Sequence, residues 1–152
     1  YLWAWKRLAD RKGIVLVCPS FGFGHWDREG GVDAIERARD WAVSRLSIDP
    51  DRVWLAGISN GGKGVVRAAD RYAGAILISA VMDSDFRGRR ALVISGGVDT
   101  RVPPEYVENA VTRMRASGAD VRLLLYAGED HFLFLSSLDR VMKDVGDWID
   151  PR

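Results

Sequence analysis

The sequence predicts an α/β fold: a mainly parallel sheet of about five strands with helices on both faces, forming a single domain over residues 1–152. Three observations predict it. Short apolar runs rich in β-branched residues recur at residues 14–18, 52–56, 75–79, 91–95 and 121–126, with the length and composition of strands buried on both faces. The intervals between them carry apolar residues at helical spacing. A strand, helix, strand alternation closes through right-handed crossovers, and these make neighbouring strands parallel.

Taken in order, Leu2, Trp5 and Leu8 form one face of an opening helix that Gly13 stops. The first strand follows and ends at Cys18, read as a small buried apolar side chain; Pro19 directly after it leaves no turn that would present a nucleophile. Val32, Ile35, Ala42 and Leu46 mark the second helix. The strand at 52–56 runs into a glycine-rich turn and another amphipathic stretch. Between the strands at 75–79 and 91–95 the interval is too short for a helical cap domain, so any site above the sheet is expected to be open to solvent. Val107, Ala110, Val111 and Met114 mark a helix starting near Pro103, where proline is welcome at the first position. After the last strand, Leu138, Val141, Met142, Val145, Trp148 and Ile149 form a single stripe behind a capping box of Ser136 and Asp139.

Composition narrows what such a domain does. A chain of 152 residues with 47% hydrophobic content buries a core without metal or disulfide. The 22 Lys and Arg residues balance 21 Asp and Glu, for a net charge of +1, and no polybasic run stands out, which argues against the concentrated cationic face that nucleic acid or anionic lipid requires. Arg87, Arg89 and Arg90 are too few to change this and read as a solvated loop. The single cysteine excludes an internal disulfide and a cysteine-based zinc site. No stretch has the length and apolarity of a membrane span, and the chain opens at Tyr1 without a recognisable signal peptide, which leaves its compartment unread.

In a parallel sheet the working residues collect beyond the carboxyl ends of the strands. After the 52–56 strand stands Gly57-Ile58-Ser59-Asn60-Gly61-Gly62-Lys63-Gly64, which fits two mechanisms. As Gly-x-Ser-x-Gly, glycines at 57 and 61 permit a sharp strand-to-helix turn that lifts Ser59 above the sheet, with the Asn60 amide aimed at an oxyanion. As Gly-x-x-x-x-Gly-Lys it matches most of a phosphate loop, but Gly64 stands where that loop needs Ser or Thr to hold magnesium. Partners decide between them. A serine hydroxyl needs an imidazole to take its proton and a carboxylate to fix the imidazole tautomer. His131 lies just past the last strand and Asp99 just past the one before it. Asp83 and Asp85 are rivals for the carboxylate. His25 is the other histidine and reads as a loop or rim residue, and Lys63 as a surface residue of the following helix.

Residues Ile48-Asp49-Pro50-Asp51-Arg52-Val53-Trp54-Leu55-Ala56-Gly57-Ile58-Ser59-Asn60-Gly61-Gly62, Gly96-Gly97-Val98-Asp99-Thr100-Arg101-Val102-Pro103 and Asp130-His131-Phe132 carry a likeness to a known family. The chain resembles the α/β-hydrolase superfamily, in particular small esterases of the dienelactone-hydrolase, phospholipase/carboxylesterase and polyhydroxyalkanoate-depolymerase type. The resemblance implies that Ser59 is the nucleophile, His131 the base and then the acid, Asp99 the orienting carboxylate and Asn60 one oxyanion donor. It also implies a departure. The family's second oxyanion donor precedes a helix like the opening one here, so its strand and loop are missing. If the strand at 14–18 pairs directly with the one at 52–56, the loop from Ser20 to Trp26 comes beside Ser59, and Phe21, Gly22 and Trp26 become candidates for the donor and the substrate wall.

The expectation is therefore a serine hydrolase cleaving a small-molecule carboxylic ester through an acyl-enzyme, with no cofactor or metal, no nucleic-acid partner and no membrane. The alternatives are a non-catalytic binding module or fragment of the same fold and, further off, a phosphate-loop nucleotidase.

Overall fold

A computed structural model describes residues 2–22 and 25–149. Helix α1 (Leu2–Lys12) ends where Gly13 turns to φ +63°, and α2 (Gly31–Arg45) follows after a long loop. The sheet comprises β1 (Trp54–Ile58), β2 (Gly74–Ile78), β3 (Arg90–Gly96) and β4 (Asp120–Tyr126), with α3 (Gly61–Ala68) after β1 and α4 (Pro104–Ala116) after β3. The short α5 (Leu133–Ser136) and the long α6 (Leu138–Ile149) close the described chain.

The strands stand side by side in sequence order, every pair parallel. Among the described residues the sheet has four strands, not five. Residues 14–18 carry the composition of a buried strand yet join no ladder, and Ile14, Val15, Leu16 and Val17 stay 44%, 56%, 36% and 37% exposed. Among the described residues β1 bonds only to β2, so residues 14–18 do not pair with it, and the pairing expected to carry the Ser20 to Trp26 loop to Ser59 is not formed. Cys18 is correspondingly exposed rather than buried.

Alternation along the strands divides the core. Leu77, Ala91, Val93 and Val121 meet Val65 and Val66 of α3 and Val107, Val111 and Met114 of α4 on one face. Ile76, Ile78, Leu92, Ile94 and Tyr126 meet Leu8 of α1 and Val141, Met142, Val145 and Trp148 of α6 on the other. Helices cover both faces, as the alternation of periods predicts. The interval between β2 and β3 contains no helix and so supplies no helical cap over the carboxyl end of the sheet.

Local details depart from the sequence pattern. β1 begins at Trp54 because Pro50–Arg52 form a 3₁₀ turn, capped by the Asp49 carboxylate on the Asp51 amide. Arg90 belongs to β3 rather than to a loop, and its guanidinium lies 4.0 Å from the Trp148 ring centre. The Ser136 hydroxyl does not cap α6; it donates to Glu129, as does Ser137. Among the described residues no helix is long and apolar enough to cross a membrane.

Candidate active site

Ser59 sits between the end of β1 and the start of α3 at φ +51°, in the left-handed region that residues other than glycine rarely occupy. Its backbone is held from three sides: its N–H donates to the Ile78 carbonyl at 3.0 Å, and its own carbonyl accepts from Gly62 N and Val81 N, each at 3.0 Å. The glycines around it have unequal roles. A Cβ on Gly57 would fall 2.6 Å from the Gly61 carbonyl carbon, so the strand and helix approach closely only without one. Gly61, which the motif also marks, has open space; Gly62 carries the constraint instead, since its Cβ would lie 2.5 Å from the Val81 oxygen. Asn60 is helical (φ −58°, ψ −22°), and among the described residues its N–H donates to no other backbone oxygen.

Asp99 follows β3 and is only 1% exposed. Its Oδ1 accepts from the Arg101 and Val102 amides at 2.8 and 2.9 Å, which fixes the carboxylate from behind. Its Oδ2 stands 2.8 Å from His131 Nδ1, and His131 Nε2 stands 3.0 Å from Ser59 Oγ. A carboxylate accepts only, so Nδ1 carries the proton and Nε2 is left as the acceptor for the serine O–H.

The glycine pair before Asp99 explains how two loops meet. A Cβ on Gly96 would sit 2.3 Å from the Glu129 carbonyl oxygen, while Gly97 N–H donates to Tyr126 O at 2.9 Å and Val98 N–H to Glu129 O at 3.0 Å. The turn after β3 thus lies against the loop that carries His131. That loop is pinned in turn by Glu129, whose carboxyl is held below the usual carboxylate range by hydrogen bonds from Ser136 and Ser137.

The structure brings Ser59, Asp99 and His131 together from three loops; the rivals stand apart. Asp83 pairs with Arg67 at 3.1 Å and Lys63 at 3.8 Å, Asp85 is exposed, and so is His25. Lys63 also donates to Asp27 at 3.0 Å, so its ammonium is engaged by two carboxylates instead of facing a phosphate. Trp26 reaches α3 by another route than strand pairing: the missing Cβ of Gly64 leaves room for the Trp26 Cβ, 2.9 Å from where that atom would be. Phe21 packs on Trp26 with ring centres 5.8 Å apart. Among the described residues neither these two nor Gly22 bonds to Ser59 or His131, and Phe23 and Gly24 of the same loop lie outside the described residues. The described residues contain no group of three or more potential metal ligands.

No protein-family model and no curated protein matches the chain. Solved structures do. Agrobacterium tumefaciens ATU1826, a protein of unknown function, superposes with a TM-score of 0.75 at 21% identity, covering 98% of this chain and 75% of its own. Arabidopsis thaliana SOBER1 gives 0.64 at 18% identity over 82% of this chain and 65% of its own. Esterase PE8 gives 0.66 at 20% identity, covering 77% and 60%. The chain has an α/β-hydrolase-type fold. Its parallel sheet carries Ser59, Asp99 and His131 on separate loops at one end, and the chain spans about three-fifths to two-thirds of SOBER1 and PE8.

Proposed function

We propose that this chain is a serine hydrolase of carboxylesterase type, with Ser59, His131 and Asp99 as its catalytic triad. The observation that carries the reading is the unbroken relay from Ser59 Oγ through the imidazole to Asp99, with links of 3.0 and 2.8 Å and a carboxylate fixed by two amides. In this mechanism Ser59 Oγ attacks the ester carbonyl while its proton passes to His131 Nε2. The developing oxyanion is met by the Asn60 N–H at the start of α3. Collapse breaks the ester C–O bond, and His131 returns the proton to the departing alcohol. Water then attacks the acyl-serine, giving its proton to His131, and the acid leaves as Ser59 is restored.

The substrate is a small-molecule ester, which the uncapped end of the sheet suits, and no cofactor takes part. The loop bearing Phe21, Gly22 and Trp26 is our candidate for the substrate wall and for a second oxyanion donor, supported by the seat of Trp26 against α3. The test is covalent: a fluorophosphonate ester should add one phosphonyl group to Ser59, found by peptide mass mapping, and an unmodified Ser59 in folded protein would count against the reading.

A second reading, a non-catalytic module that binds another chain or chain segment, is favoured by one observation. Residues 14–17 and the outer edge of β1 present unpaired, apolar strand chemistry to solvent. Folded protein without turnover or labelling would select it.

A further inference from the structure

Ser79, at the end of β2, repeats the geometry of Ser59 one strand away. It is the other residue besides glycine among those described with positive φ, at +43°, and it is fully buried. Its N–H donates to Ile94 O of β3 at 2.9 Å, as that of Ser59 does to Ile78 O of β2 at 3.0 Å. Its hydroxyl has no partner among the described residues, so the strained position is not maintained by a bond from the side chain. A left-handed, buried residue with an orphaned hydroxyl persists only where the surroundings over-determine it, and such positions cluster where strain serves function.

The chain after Ser79 shows what the turn achieves. Two residues on, Val81 N–H donates to the Ser59 carbonyl at 3.0 Å, and the Val81 oxygen and Ala80 Cβ lie against Gly62 in the first turn of α3. One residue further, Met82 N–H donates to the Tyr106 hydroxyl of α4 at 2.7 Å, which anchors the far end. An ordinary strand exit at Ser79 would send residues 80–82 elsewhere and leave the Ser59 carbonyl without that donor.

We propose that Ser79 is a positioning residue for the nucleophile: its left-handed turn carries the Val81 amide onto the Ser59 carbonyl and holds Ser59 in its own left-handed turn, with Oγ aimed at His131. This rests on the reading of Ser59 as nucleophile. What position 79 must supply is a small residue that tolerates positive φ, and β-branching there works against the turn.

The test compares Ser79→Thr, which keeps a hydroxyl but disfavours positive φ, with Ser79→Gly, which loses the hydroxyl and accepts it. Ester turnover is measured per active site titrated with a fluorophosphonate, so unfolded protein does not count. We expect Ser79→Thr to lower kcat per titrated site about tenfold or more with KM within about twofold, because small misplacements of a reacting group cost rate rather than binding. Ser79→Gly should recover most of that loss. Thr and Gly variants both matching wild type per titrated site would overturn the proposal, as would a Gly variant that loses as much as Thr although it accepts the left-handed turn, or a loss in Gly that Thr does not show, which would assign the effect to the hydroxyl. Wild-type protein that neither titrates nor turns over would instead sink the reading of Ser59.

Discussion

Replacing Asp99 by Asn separates the chemistry of its carboxylate from its structural service. The side chain is buried and accepts three hydrogen bonds: Arg101 N–H at 2.8 Å and Val102 N–H at 2.9 Å on Oδ1, His131 Nδ1–H at 2.8 Å on Oδ2. Asparagine can keep its carbonyl oxygen on the two amides, so the loop stays supported. Its NH₂ then faces His131 and donates to Nδ1, which moves the imidazole proton to Nε2, where it opposes the Ser59 hydroxyl instead of accepting from it. A reversed tautomer of this kind lowers kcat by about 10⁴, or about 5.5 kcal/mol of barrier. Asp99→Ala, by contrast, strips the acceptor from the buried Val102 amide and should cost about 1–3 kcal/mol of stability. The assay is kcat for a p-nitrophenyl ester together with the Tm of both variants. The expected pattern is an inactive Asn variant melting near wild type and an Ala variant that is both inactive and less stable. An Asn variant keeping more than about a tenth of wild-type kcat would refute the reasoning.

Three other outcomes follow from the packing. Gly62→Ala should lose about 1–3 kcal/mol, read as a lowered Tm, because its Cβ would meet the Val81 oxygen at 2.5 Å, whereas Gly61→Ala, with nothing nearby, should not lower Tm. Val15→Glu with Val17→Glu, placed on the exposed apolar run outside the sheet, should leave both Tm and the circular dichroism near wild type, where the same change in a buried strand would unfold the protein. Burial, reinforced by its hydrogen bond to Asp144, raises the Tyr126 phenol above its ordinary value of 10. Its neutral form is then favoured by folding, so that contribution is complete below about pH 10 and declines above it, where the unfolded chain ionises first. Tm scans from about pH 9 to 11 should fall more steeply for wild type than for Tyr126→Phe.

Much of this was legible because sequence and environment agree. β2 and β3 are central strands whose continuous apolar runs mark them to within a residue, and β4, at the edge, is marked by Val121 and the apolar run from Leu123 to Tyr126. Ser59, Asp99 and His131 were legible for a topological reason: each follows a different strand, and a parallel sheet delivers all three carboxyl ends to one edge. Residues 14–18 show where composition stops. The run fits a buried strand as well as β2 does, but composition reports what a segment suits, and only neighbouring chain decides whether it pairs. Gly61 and Gly62 show the same limit at the site. The motif marks Gly61, while the steric demand on Gly62 comes from Val81, which enters through the turn at Ser79. Ser136 departs from the capping pattern because its hydroxyl donates to Glu129, brought near by the His131 loop, and not to the start of α6.

The most direct test of the central claim is hydrolysis of p-nitrophenyl acetate by this chain beside Ser59→Ala, with folding of both checked by circular dichroism. Turnover by the wild type that falls to background in the variant, a loss on the order of 10⁶-fold where a full triad operates, is the predicted result. A Ser59→Ala protein that hydrolyses the ester at the wild-type rate, or a folded wild type with no turnover, would contradict it.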